Sequence, residues 1–204
     1  YAVSDVAGVF ADRMSQLFAL QDAPMLWHVN HTRTYSNFRE IMNGGDHLEH
    51  YHVYHQAAAA ADKSDGNTLD LHTDQGLFIA FTPAFMVEET GPGEVKVADS
   101  SPGEFFVESI DKTLSKIDFG DGDVLVLMLG DGVEQYYNNR LQKGEARLRS
   151  APHGMAMPKH SNRESRVWYG RMFLPPKDAL SEEHGLSFGQ LREKAIADVN
   201  SSGG

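Results

Sequence analysis

A chain of 204 residues, 41% hydrophobic and 23% charged, has the size and balance of one globular core. It holds no apolar run near the roughly 20 residues of a membrane-spanning helix, so it reads as soluble, without a membrane partner. A net charge of −11 with no local basic patch excludes nucleic acid and anionic lipid as partners. The absence of cysteine excludes disulfides, zinc ribbons, iron–sulfur clusters and thiol nucleophiles together, so any metal must be held by histidine and carboxylate. The opening at Tyr1, with neither an initiator Met nor an apolar leader, is read as processing or truncation upstream. The compartment stays open, with a lean to the cytoplasm.

In chain order, Val6, Val9, Phe10, Met14, Leu17 and Phe18 recur at helical spacing. They predict an amphipathic helix over residues 5–20, capped by Ser4 or Asp5 and packed outside the main core. Residues 25–29 and 32–38 suit helix or strand equally, and 43–46 (NGGD) form a turn cluster. Residues 48–55 (LEHYHVYH) alternate as a strand, with Tyr51, Val53 and His55 on one face and His50, His52 and Tyr54 on the other. A mobile loop is expected over 58–67. Short apolar segments at 69–73, 76–82, 94–97, 105–109 and 124–129, separated by Gly, Pro and Asp, argue for antiparallel strands. A further strand over 167–174 ends at Pro175-Pro176, and 186–199 has a helical rhythm. Strands in the middle and helices at the ends predict a mainly β fold, a sandwich or jelly roll with flanking helices. The single domain divides into a helical support region (1–45), a jelly-roll core (46–176) and a C-terminal helix and tail (177–204).

Histidine is the residue to follow, because six of the ten fall between His28 and His55. The sharpest local signal nevertheless lies beyond that window, at His72-Thr73-Asp74. On a strand, residues i and i+2 share a face, so an imidazole and a carboxylate converge at a spacing that suits one metal ion. Composition alone supplies about one or two H-x-D/E matches in such a chain, and His47-Leu48-Glu49 is another, so the pair needs support from elsewhere.

That support is the downstream order. His72-Thr73-Asp74-Gln75-Gly76 runs into an apolar strand; Val126-Leu127-Met128-Leu129-Gly130-Asp131 is followed by Asn138, then His153, then Arg166 on a strand that closes with Met172-Phe173-Leu174-Pro175. Over about residues 48–176 this resembles the non-haem Fe(II), 2-oxoglutarate-dependent oxygenase superfamily, in the branch that includes isopenicillin N synthase and the plant small-molecule dioxygenases. The resemblance implies a double-stranded β-helix holding Fe(II) through His72, Asp74 and His153, a facial triad with three positions open. It implies O2 and 2-oxoglutarate as cosubstrates, Arg166 as the cosubstrate-carboxylate partner, and oxidation of a small molecule or a peptide side chain. Tyr51, His52 and Tyr54 are candidates to line the pocket, Tyr54 and His52 as cofactor-binding residues, on a strand where the family supplies a Tyr or Asn.

Two departures from the family pattern stand out. The family has R-x-S, whereas this chain has Arg166-Val167-Trp168, which puts an indole where a hydroxyl would share the carboxylate. Arg163 and Arg171 are alternative carboxylate partners, Arg171 on the opposite strand face. His72 and His153 are also unusually far apart, with extra material expected at 142–149 and between Val97 and Leu114, and His160 competes with His153 as the second imidazole. The alternatives are the same site working without 2-oxoglutarate, with iron or copper, and a non-catalytic jelly-roll binding module.

Overall fold

A computed structural model of the chain describes residues 2–17, 26–55, 69–138, 147–157 and 163–202. The loop expected over 58–67, most of the extra material at 142–149 and the competing His160 lie outside the described residues. The chain opens with helix α1 (Ala2–Leu17), then β1 (Leu26–Trp27), β2 (Thr34–Tyr35), α2 (Phe38–Gly44) and β3 (Leu48–His55). The strands β4 (Leu69–His72), β5 (Phe78–Phe81), β6 (Phe85–Gly91), β7 (Glu94–Ala98), β8 (Glu104–Glu108), β9 (Leu114–Lys116) and β10 (Val126–Leu129) follow. After α3 (Gly132–Tyr136) come β11 (His153–Ala156), β12 (Glu164–Phe173), β13 (Leu180–Ser181), β14 (Leu186–Ser187) and α4 (Phe188–Ser202). Among the described residues no helix is long and apolar enough to cross a membrane.

Two curled antiparallel sheets dominate, giving a mainly β, jelly-roll-like architecture. The larger has six strands, and its hub is β12: β3 runs along one side, β5 and β6 share the other, β10 lies beyond β5 and β7 beyond β6. The smaller sheet has the order β4-β11-β8-β9. Strand β5 shows why the larger sheet is stable: flanked on both sides, it buries Phe78, Ile79, Ala80 and Phe81 in succession, as a central strand does. Phe78 stacks on Phe173 at 4.5 Å between ring centroids, and each such buried ring contributes about 1.5–3 kcal/mol. Strand β3, on the sheet's edge, instead alternates half-buried and exposed residues along its whole length, with His50, His52 and Tyr54 turned inward and Tyr51, a pocket candidate from the sequence, on the outer face and 77% exposed.

The first helix departs from expectation in both start and packing. It begins at Ala2, so Ser4 and Asp5 stand inside it rather than capping it. It also packs on the core, not outside it. Ala7, Ala11 and Met14 are buried in the main cluster and Phe10 meets Phe78 edge-on at 4.9 Å. Small side chains at 7 and 11 bring the helix close enough for Arg39 of α2 to donate to the Gly8 carbonyl and pair with Asp12. The segment that suited helix or strand equally resolves into both. Residues 34–35 pair with 26–27, and α2 follows because Asn37 caps it, its side chain accepting the Glu40 N–H at 2.8 Å.

Candidate functional site

The two sheets face each other across a cavity of about 260 Å³. On the smaller sheet, β4 and β11 pair in a register that sets His72 directly opposite His153, with ring centroids 4.3 Å apart. Each imidazole is oriented by a backbone carbonyl two residues upstream: His72 Nδ1 donates to Asp70 at 2.8 Å and His153 Nδ1 to Ala151 at 2.9 Å. A carbonyl can only accept, so each Nδ1 carries the hydrogen and each Nε2 presents a lone pair. Both lone pairs face Asp74, whose Oδ1 lies 3.8 Å from His72 Nε2 and 3.9 Å from His153 Nε2. The three donor atoms lie within 4.8 Å of one another. Burial holds the His153 pKa below the ordinary histidine range, against the opposing pull of the Ala151 carbonyl and Asp74. A neutral imidazole is the form that binds a metal. Two imidazoles tied by outer hydrogen bonds, with one carboxylate, fit a first-row divalent cation.

Asp74 reaches this place by another route than strand alternation, because β4 ends at His72 and Asp74 stands in the turn beyond it. The turn is clamped from β10's exit. Asp131 N–H donates to the Asp74 carbonyl at 2.9 Å, Asp131 Oδ1 accepts the Gly76 N–H at 3.2 Å, and Gly132 N–H donates to the Gly76 carbonyl at 2.7 Å. Gly76 has φ of +112°, a conformation open chiefly to glycine, and a Cβ on Gly132 would stand 2.6 Å from the Gly76 carbonyl oxygen. In the sequence Asp131 only marks the end of a motif and Gly132 is not singled out, yet together they set the carboxylate's position; the Gly-Asp-Gly run at 130–132 was the available signal. Burial pushes the Asp131 carboxyl up from its usual range.

Asn138 and Glu134 do the equivalent for the second histidine. Asn138 pairs with Leu148 like a strand residue, accepting its N–H at 2.9 Å and donating to its carbonyl at 2.7 Å. Glu134 accepts the Ser150 N–H at 2.7 Å, and Ala151 N–H donates to the Leu129 carbonyl at 3.0 Å. His153 is therefore not a loop residue: it opens β11, a strand between β4 and β8.

The opposite wall belongs to the larger sheet. Arg166, Trp168 and Gly170 of β12 stand directly across from Tyr54, His52 and His50 of β3. Arg166 is 7% exposed, and its Nε donates to the Pro102 carbonyl at 2.8 Å while its Nη1 is buried without a hydrogen-bond partner. Burial pulls the guanidinium pKa down, a cost that an incoming anion would relieve. Trp168 stacks on His52 with centroids 4.5 Å apart and planes within 1° of parallel, so the indole lines the cavity on the same side of β12 as Arg166. The other two arginines are turned away: Arg163 donates to the Glu89 carbonyl and Arg171 pairs with Glu49. Phe81, Phe105, Phe119, Met128 and Met155 complete a largely apolar lining, and the sequence reading named none of them as pocket residues.

No protein-family model matches the chain, and no curated protein matches it in sequence. Among solved structures, it aligns with a putative oxygenase from Shewanella oneidensis at a TM-score of 0.58 and 14% identity, over 98% of this chain and 63% of that one. The fold is oxygenase-like. A full-length Neurospora crassa protein solved in complex with alpha-KG and thymine aligns at a TM-score of 0.45 and 14% identity, over 69% of this chain and 38% of that one. The chain thus spans 38% and 63% of the lengths of these two structures.

Proposed function

We propose that the protein is an Fe(II)-dependent oxygenase of the double-stranded β-helix class that uses O2 and 2-oxoglutarate to oxidise a small molecule. The observation that carries this reading is the convergence of His72 Nε2, His153 Nε2 and the Asp74 carboxylate on a cavity whose far wall holds the buried Arg166 guanidinium, with Nη1 lacking a hydrogen-bond partner among the described residues. His72, Asp74 and His153 would hold Fe(II) as a facial triad, and Arg166 would take the distal carboxylate of 2-oxoglutarate through charge-assisted hydrogen bonds. The bound metal supplies O2 activation coupled to decarboxylation of the 2-oxo acid. This chain's own residues bind and orient: Arg166 fixes the cosubstrate from one wall, the triad from the other, and the Phe and Met lining keeps water away. A cavity of about 260 Å³ limits what enters beside the cosubstrate to a small molecule or a single side chain.

A second reading, the same metal site working without 2-oxoglutarate and with iron or copper, is favoured by Trp168, which takes the place of the hydroxyl that would help bind the carboxylate. Anaerobic addition of Fe(II) and then 2-oxoglutarate separates the two. The first reading expects a weak visible metal-to-ligand band and, on admitting O2, succinate. Iron bound with no band and no succinate would overturn it in favour of the second. A protein that binds neither would be a non-catalytic jelly-roll module.

A further inference from the structure

The inward face of β3 carries a feature that metal and cosubstrate binding leave unused. His50, His52 and Tyr54 stack in nearly parallel planes, 11° apart for the first pair and 12° for the second. They form one hydrogen-bonded chain: His50 Nδ1 to His52 Nε2 at 3.2 Å, and His52 Nδ1 to the Tyr54 hydroxyl at 3.3 Å. The far atom of the chain, His50 Nε2, is buried without a hydrogen-bond partner. Burial first, and then the neighbouring His50, keep His52 below the ordinary histidine range, so it is a neutral ring with one N–H and one lone pair. Such a chain has two self-consistent proton arrangements. In one, Tyr54 donates to His52 Nδ1, His52 Nε2–H donates to His50 Nδ1, and His50 Nε2 ends the chain as a donor. In the other each proton has moved one place along the chain, from the Tyr54 oxygen to His52 Nδ1 and from His52 Nε2 to His50 Nδ1, with His50 Nε2 giving a proton to water and the Tyr54 oxygen taking one from water. Every bond is then reversed, the Tyr54 O–H is free to donate elsewhere, and His50 Nε2 ends as an acceptor.

What chooses between them stands at the Tyr54 end. Arg166 is the direct cross-strand partner of Tyr54, its guanidinium carbon lies 5.9 Å from the Tyr54 ring centroid, and its buried Nη1, without a hydrogen-bond partner among the described residues, is the donor a carboxylate would satisfy. A phenol hydroxyl bonds a carboxylate about twice as strongly as it bonds a neutral imidazole. Trp168 keeps the ladder in register by stacking on His52, and it can do so because position 170 is glycine: a Cβ there would stand 2.6 Å from the indole Cζ3.

We propose that the His50–His52–Tyr54 ladder is a two-state relay, in which a carboxylate arriving at Arg166 draws the Tyr54 hydroxyl toward itself and thereby turns His50 Nε2, at the other end, from donor to acceptor. The proposal rests on the reading of Arg166 as the 2-oxoglutarate site. The loaded protein is left with a buried acceptor at His50 Nε2 that a hydroxyl or N–H donor would satisfy, and by reciprocity such a donor tightens cosubstrate binding.

The test is nitrogen-15 NMR of the histidine side chains in the protein loaded with Zn(II), a diamagnetic stand-in for iron, with and without saturating 2-oxoglutarate, alongside calorimetry of the same addition. His52 is expected to carry its hydrogen on Nε2 in the free protein and on Nδ1 in the complex, with His50 moving from Nε2–H to Nδ1–H. Tyr54→Phe should bind 2-oxoglutarate about tenfold more weakly and, once saturated, show no tautomer change. Binding to the parent protein with unchanged His52 and His50 tautomers overturns the relay alone, as does an equal change in Tyr54→Phe. Absence of binding, or undiminished binding to Arg166→Met, overturns the 2-oxoglutarate reading and the relay with it.

Discussion

The two walls of the cavity place polar rings against an apolar interior in opposite ways. On the smaller sheet, His72 and His153 each spend one nitrogen on a backbone carbonyl. On the larger sheet, His50, His52 and Tyr54 spend theirs on one another, and Arg166 leaves one nitrogen unspent. A ring tied to the backbone has one tautomer and one direction, which suits a donor to a metal. Rings tied to each other share a collective choice, which suits recognition. Rigidity is concentrated where the carboxylate and imidazoles converge, and adaptability on the wall across from them.

That contrast can be broken most sharply from the smaller sheet. Asp74→Ala is expected to lower Fe(II) affinity at least about a hundredfold, beyond what loss of an outer partner costs, measured by anaerobic calorimetry. Arg166→Met should do the reverse: 2-oxoglutarate binding falls about a hundredfold, as for loss of charge-assisted bonds, with Fe(II) affinity unchanged within about twofold. If each variant lost both ligands, the division of labour between the walls would be wrong. Gly132→Ala pushes a methyl group into the Gly76 carbonyl and should cost about 1–3 kcal/mol of stability, as overpacking does, read from urea midpoints, and weaken Fe(II) binding with it.

The smallest expected effect concerns pH. Burial, and secondarily Arg171, hold His47 below the ordinary histidine pKa, and its Nδ1 accepts the Leu174 N–H at 3.2 Å, tying the start of β3 to the end of β12. As pH falls below about 6.5, the unfolded chain takes up a proton before the folded one, so stability declines through the window between that value and the lowered folded-state pKa. Urea midpoints at successive pH values should show this slope, and His47→Gln should flatten it.

Several features were legible because they are local. The alternation of 48–55 puts its two faces where the structure has them, since a strand's side-chain period needs no partner to define it. The buried run of β5 and the short spacing of turn residues pointed to antiparallel strands. Strand β11 was illegible for the opposite reason. Four residues beginning His-Gly make a strand only because β4 and β8 pair on either side. Helix α3 likewise starts at a glycine whose N–H is taken by Gly76 across the fold, and α1 adds to the contacts of Phe10 and Met14, which the pattern marked, those of Ala7 and Ala11, which it did not.

What the sequence determined by itself was the supply of chemistry: an imidazole and a carboxylate one residue apart, no thiol to compete with them, a histidine-rich strand, and an arginine followed by a tryptophan in place of a small hydroxyl residue. The tertiary structure decided which histidine meets that pair, that a clamp from residues 131–132 rather than strand geometry aims Asp74, and that Arg166, of the three arginines weighed, is the one that lines the cavity. Those outcomes depend on the register between strands distant in the chain, and register is set by the pairing and burial of whole faces, which no local spacing encodes.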